Sequence, residues 1–119
     1  MIQIFGTNKN FDCKAAQRFF KERGIPFQFI DLKEKEMSRG EFDSVISVIS
    51  KAEGSKSAAI EEMIDKKSKD YVNISYIDDS EKEEKLFNNQ SNLLKLPVCR
   101  NGKMNATVGM AQKIWEIWK

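Results

Sequence analysis

The sequence predicts an α/β fold built on a mixed four-stranded sheet with helices on its faces. A strand, a helix and a second strand follow one another over residues 1–32, which favours a parallel pair with a right-handed crossover. Asn101-Gly102 lies between two short β-rich runs, and this dipeptide is typical of a β-hairpin. A helical block at about residues 38–90 separates these units. We therefore expect one domain over residues 1–119 with a helical insertion.

The first unit is predicted to contain strands at residues 1–5 and 27–32, on either side of a helix. The helix is expected to begin near Phe11, with Asp12 as its N-cap or as an acid in its first turn. Apolar residues recur at helical spacing, and Gly24 is expected to end the helix in a left-handed conformation.

The central block is predicted to be helical in three segments separated by loops. Ser38 and Glu41 have the spacing of a capping box, so the first segment is expected to begin at Ser38. A break centred on Gly54 separates it from a second helix over residues 57–67, and a third helix is expected to begin near Asp79. Connections are predicted at residues 33–39, 51–57 and 88–92, whereas residues 68–77 contain β-branched residues without a clean period and stay unassigned.

The last unit is predicted to contain a third strand over residues 93–100, which includes Pro97, and a return strand over residues 105–108. Because proline lacks a backbone N–H, this position is expected at a sheet edge or a special turn. Gly109 separates the hairpin from a final helix over residues 110–119. The complete order of elements is that of a thioredoxin-like fold.

Composition excludes several classes of protein. Hydrophobic residues make up 40% of the chain and charged residues 32%, as in soluble globular proteins. The net charge of +2 is too small to indicate binding to nucleic acid or to a membrane. Two cysteines without any histidine argue against a zinc site. Neither a signal peptide nor a membrane span is visible, so we expect a cytoplasmic protein.

Cys13 is the candidate reactive residue, because it lies in the first turn of the first predicted helix. Free N–H groups and the helix dipole favour a thiolate at such a position, which predicts a lowered pKa and redox or nucleophilic chemistry. Redox loops of this kind usually contain Cys-x-x-Cys, whereas Asn10 occupies the first position here. The alternative is an inert, buried Cys13 that packs under the loop.

Four segments resemble the arsenate reductase-like (ArsC) family, which includes the Spx-type transcription regulators. The loop GTNKNFDCKAA resembles the active-site loop of that family, and ERGIPFQFIDL resembles its second strand. KKSK at residues 66–69 resembles its Arg-Ser-Lys segment, and LLKLPVCRNGKMNATVG resembles its hairpin. Together these segments extend over essentially the whole chain.

The resemblance implies a cis peptide before Pro97 and places Asn10 where the family has its nucleophilic cysteine. It also places Lys67, Leu96 and Met110 where the family has its oxyanion-binding arginines. An amide cannot attack arsenate, and only Lys67 retains a positive charge. Classical arsenate reduction is therefore not expected, and whether the protein is an enzyme stays open.

Two functions are compatible with the resemblance. The first is thiol–disulfide exchange through Cys13, linked to glutaredoxin or thioredoxin, with glutathione as a thiol co-substrate and no other cofactor. The second is a non-catalytic, Spx-like role in which the protein binds the RNA polymerase α subunit or another protein. Gly54 either corresponds to a glycine with which such regulators contact the polymerase or is a hinge or helix cap.

Other candidate residues have a functional and a structural interpretation. Cys99 either pairs with Cys13 or is a core or edge-strand residue. The lysines of residues 66–69 form either an anion-binding patch or a solvated helix end. Trp115 and Trp118 either pack on the sheet or form a surface for a partner.

Overall fold

A mixed sheet of four strands lies at the centre of the molecule, in a computed structural model that describes residues 1–118. The strands are β1 (Ile2–Gly6), β2 (Phe27–Asp31), β3 (Val98–Asn101) and β4 (Ala106–Val108). Their order across the sheet is β2-β1-β3-β4, with β1 parallel to β2 and antiparallel to β3, and β3 antiparallel to β4. The predicted α/β fold with one parallel pair and one hairpin is confirmed.

Six helices accompany the sheet in the described part of the chain. They are α1 (Phe11–Glu22), α2 (Arg39–Glu53), α3 (Lys56–Met63), α4 (Asp79–Asn88), α5 (Gln90–Leu93) and α6 (Gln112–Trp115). The predicted capping box at the start of α2 is present, since Ser38 Oγ accepts the Glu41 N–H and the Glu41 carboxylate accepts the Ser38 N–H. Among residues 1–118, no helix combines the length and hydropathy that a membrane crossing requires.

The sheet has a hydrophobic cluster on each face. Consecutive residues of a strand point to opposite faces, and accordingly Phe5 packs with the helical block whereas Ile4 packs with α1 and α6. On the second face, the Trp115 ring lies 5.5 Å from the Phe19 ring and 5.3 Å from the Phe20 ring. This aromatic cluster packs α1 against both the sheet and α6, and so fixes where the N-terminus of α1 lies.

Two predicted elements of the helical block differ from the structure. The helix predicted over residues 57–67 ends at Met63, because Ile64 is extended and forms a β-bridge with Leu94. The loop predicted over residues 88–92 contains α5. That turn forms around Gln90, which is fully buried and bonds to backbone groups in a distant segment.

The predicted C-terminal elements are also shorter in the structure. The third strand begins at Val98 rather than at residue 93, since the residues before it form the end of α5 and the bridge to Ile64. The hairpin closes with the Asn101 N–H bonding to the Asn105 carbonyl, so its loop is longer than a two-residue turn. The final helix covers only Gln112–Trp115, and Lys119, its predicted last residue, lies outside the described residues.

Candidate functional site

Asn10 caps the N-terminus of α1. Its backbone is extended, and its side-chain Oδ1 accepts a hydrogen bond of 2.9 Å from the Cys13 N–H. Asp12 is therefore an acid in the first turn, the second of its two predicted roles. Because the amide of Asn10 bonds to this N–H, the helix start presents one fewer free donor to an anionic ligand.

Cys13 is fully buried, and its sulfur lies where a Cβ on Gly6 would overlap it. A side chain at Gly6 would overlap the sulfur, so the loop closes over the thiol only with glycine there. Burial raises the pKa of the Cys13 thiol to about 11; a hydrogen bond from the Thr7 backbone opposes the rise and the Asp12 charge adds to it. The predicted lowering of this pKa is wrong, because desolvation outweighs the effect of the helix start.

Cys99 is a buried core residue of β3, in accordance with its structural interpretation. Both cysteines are free thiols, so the pairing considered for Cys13 and Cys99 is not formed. Burial, followed by the nearby Cys13, raises the pKa of Cys99, whereas a hydrogen bond with Thr107 lowers it. Thr107 also accepts a hydrogen bond of 2.8 Å from Trp115 Nε1, which ties α6 to the sheet.

A cleft of about 440 Å³ opens beside the start of α1. It brings Asn10 together with Lys67 and Leu96, although these residues lie far apart in the sequence. One wall is formed where two segments run side by side: the Asp65 N–H bonds to the Leu93 carbonyl and the Lys95 N–H to the Met63 carbonyl, each at 2.8 Å. The Leu96–Pro97 peptide is cis, as the resemblance implies.

Met110 does not line this cleft. The residue before it, Gly109, lies against the aliphatic chain of Lys95, which does line it. In the sequence, Met110 therefore comes directly after a residue that contacts the edge of the cleft. Its side chain is exposed, as is that of Phe11 next to Asn10. Phe11 has 80% of its surface exposed, and nothing in its sequence context distinguished it from a core residue.

The cleft carries charges of both signs. Three lysines and four carboxylates line it, and two of the lysines are paired: Lys66 with Glu61 at 3.6 Å, and Lys95 with Glu62 at 3.4 Å. Lys67 forms no ion pair within residues 1–118. With carboxylates in excess, the cleft does not have the concentrated positive charge that binds an oxyanion.

Trp115 and Trp118 are both buried, so their role is packing and the alternative of a partner surface is wrong.

Gly54 follows α2 with φ +96°, which is the conformation of a helix cap. Residues 66–69 form turns after α3 and are not part of the predicted helix end.

The acidic wall of the cleft, formed by Glu61 and Glu62, was not predicted, because in the sequence these residues look like the solvent-exposed face of a helix.

No protein-family model matches the sequence, and no curated protein matches it. Solved structures do share its architecture. A putative ArsC family related protein from Bacteroides fragilis has a TM-score of 0.80 at 16% identity, over 99% of this chain and 98% of its own. A possible arsenate reductase from Streptococcus mutans has a TM-score of 0.75 at 12% identity, over 98% of each chain. For an arsenate reductase from Vibrio cholerae the TM-score is 0.72 at 17% identity, over 98% of this chain and 96% of its own. These similarities confirm the predicted thioredoxin-like fold.

Proposed function

We propose that this protein is an arsenate reductase-like (ArsC) family member that has no reductase chemistry and acts by binding a protein partner. The shared fold and the four resembling segments support the family assignment. The start of α1 carries the proposal about function, because an amide caps the helix there and the Cys13 thiol is buried.

Arsenate reduction needs a nucleophilic sulfur and cations that hold the oxyanion. Asn10 supplies no sulfur, and Cys13 points into the core with a pKa of about 11. Leu96 adds no donor to the cleft, and the net charge of its lining is negative. The cleft is therefore better suited to the mixed polar and apolar surface of a protein than to a small anion.

The exposed Phe11 is the feature that favours a protein partner at this place. An aromatic ring that is 80% exposed beside a cleft is typical of a contact residue, since aromatic side chains dominate the energy of interfaces. On the resemblance to Spx-type regulators, the RNA polymerase α subunit is the first partner to test. A cytoplasmic location belongs to the same proposal.

A second candidate function is thiol–disulfide exchange through Cys13. The hydrogen bond from the Thr7 backbone to the sulfur favours it, because this bond stabilises a thiolate. The loop over residues 7–10 would have to open before the thiolate could attack oxidised glutathione, form the mixed disulfide and release glutathione thiolate. Glutaredoxin or thioredoxin would then reduce the mixed disulfide.

Restoring a thiol at the first loop position separates the two functions. We expect the natural chain to neither reduce arsenate nor form a glutathione adduct, whereas Asn10→Cys should react with oxidised glutathione through an accessible thiol at the helix start. Intact-mass spectrometry of the native proteins measures the adduct, and arsenate turnover is followed alongside. An adduct on the natural chain that disappears in Cys13→Ser would establish the redox function instead.

The binding function is tested with the purified RNA polymerase α subunit. We expect Phe11→Glu to abolish a complex that the natural chain forms, because a charge would be buried where a ring packs. Val72→Glu is the matched control, since Val72 is 68% exposed and does not line the cleft. Absence of any complex with the natural chain would refute this choice of partner.

A further inference from the structure

A second groove lies between α2 and the β3–β4 hairpin, outside the Asn10 cleft. Its volume is about 460 Å³, and its polar lining consists of Ser44, Ser47, Lys51 and Lys103. Ser44 Oγ donates a hydrogen bond of 3.0 Å to the Lys103 carbonyl. This bond joins the hairpin to the helix, so the two walls of the groove are held together without a ligand.

The charge of this groove is positive, in contrast to that of the Asn10 cleft. Lys51 and Lys103 line it, no carboxylate does, and neither lysine forms an ion pair in the described part of the chain. Behind Ser44 lies the buried Arg100, whose Nη2 is 3.4 Å from Ser44 Oγ. Its nearest carboxylate, that of Glu41, is 3.8 Å from Nη1, and its Nε has no hydrogen-bond partner. Arg100 is therefore paired with Glu41, and the positive charge of the groove comes from Lys51 and Lys103.

The other residues that line the groove, apart from the two serines, are apolar. Val48 and Ala52 line it on α2, and Met104 lines it at the tip of the hairpin. Met104 is 70% exposed, and an unbranched thioether can adapt to different apolar partners. The groove thus combines apolar lining residues with one lysine from α2 and one from the hairpin.

We propose that this groove binds an acidic, amphipathic peptide segment of a partner protein. The apolar side chains of such a segment would cover Val48, Ala52 and Met104, and its carboxylates would meet Lys51 and Lys103. Charge complementarity favours this occupant, since two lysines and no carboxylate line the groove. The surface is separate from the Asn10 cleft, so this inference stands independently of the proposed function.

A peptide fits these features better than a nucleic acid does. Nucleic-acid binding usually relies on about 6–10 cations that contact phosphates, whereas two lysines line this groove. Its apolar lining residues would stay uncovered by a phosphate backbone. A helical segment with apolar residues three and four positions apart and glutamates beside them matches both parts of the surface.

The test uses the full chain labelled with ¹⁵N and a synthetic helical peptide of about 15 residues that carries leucines on one face and glutamates on the others. We expect the amide signals of Ser47, Ala52 and Met104 to shift on titration. Binding should weaken as salt rises from about 50 to about 200 mM. A matched peptide with lysine in place of glutamate should bind at least about tenfold more weakly.

Variants of the groove separate specific binding from general attraction to a basic surface. The double variant Lys51→Glu/Lys103→Glu should weaken binding by at least about tenfold, since it reverses both cations. Met104→Gln should weaken it with little change in salt dependence. The control, Lys14→Glu/Lys33→Glu, changes two exposed lysines outside the groove by the same charge and should leave the affinity within about twofold.

Three results would overturn the proposal. The first is an acidic peptide that shifts no signal of the groove. The second is equal weakening by the two double variants, which would indicate attraction to the net charge alone. The third is a single-stranded oligonucleotide that binds this groove more tightly than the peptide does.

Discussion

Gly6 is the position where one added methyl group tests the packing around Cys13 most directly. A Cβ on Gly6 would overlap the Cys13 sulfur and lie 3.2 Å from the Cys13 Cβ. The thiol is fully buried in the first turn of α1, so it cannot turn aside into solvent. Gly6→Ala is therefore expected to lower the free energy of unfolding by about 1–3 kcal/mol, as overpacked cores do.

The variant Cys13→Ala removes the sulfur that the new methyl group would meet. Alone, it is expected to cost about 1 kcal/mol for the lost burial of one heavy atom. In Gly6→Ala/Cys13→Ala the added and the removed volumes offset each other. We therefore expect the double variant to lose about 1–2 kcal/mol less than the sum of the single losses.

Equilibrium unfolding in urea measures all three variants, with the midpoint and the slope compared in each. Gly40→Ala is the matched control, because a Cβ there meets no heavy atom within 4 Å and the residue lies in α2. It should leave the stability unchanged or raise it by up to about 1 kcal/mol. If Gly6→Ala behaves like Gly40→Ala, or if the losses of the double variant simply add, the contact between Gly6 and Cys13 is not as described.

Three further predictions concern buried polar groups. The Cys13 pKa is raised from 9.0 to about 11, so the unfolded chain releases this proton first and the free energy of unfolding should fall as pH rises through that interval. Thr107→Val should cost about 1–3 kcal/mol in urea unfolding, because it leaves the buried Trp115 Nε1 without its acceptor. Gln90→Leu should cost about 2–4 kcal/mol by the same assay, because it leaves the Met37 N–H and two backbone carbonyls unpaired.

Each of these predictions has a control within the same structure. Cys13→Ala should lose less stability than the natural chain as pH rises above 9, with a remaining loss from Cys99, whose pKa burial also raises. An identical pH profile would contradict the raised pKa of Cys13. Thr107→Ser keeps the hydroxyl and should lose less stability than Thr107→Val. Asn92→Ala changes an exposed amide two residues after Gln90, so it should have little effect. Equal losses for Gln90→Leu and Asn92→Ala would contradict the role of the buried amide.

Elements that depend on neighbours in the sequence could be predicted from it. The capping box of Ser38 and Glu41 needs only their spacing, and the parallel pairing of β1 and β2 follows from a short strand-helix-strand unit. The left-handed glycines after α1 and α2 are local signals of the same kind.

Features that depend on distant contacts could not be predicted in this way. The turn of α5 forms because Gln90 bonds to Met37, and no local pattern reports a partner so far along the chain. The pKa of Cys13 could not be predicted for the same reason. The sequence shows the helix start, which lowers the pKa, but not the tertiary burial, which raises it more. The resemblance indicated three residues of the cleft, Asn10, Lys67 and Leu96, but the acidic wall that α3 contributes was not predicted.

The Asn10 cap has a consequence for what the protein can sense. A carboxamide neither gains nor loses a proton near neutral pH and does not take part in thiol oxidation. The thiol of Cys13 is protonated at physiological pH and enclosed by the loop. A partner that docks at this loop should therefore meet the same surface in oxidised and in reduced cells. The fraction of clefts that are occupied would then depend on the concentration of that partner and would not change with the redox conditions in the cell.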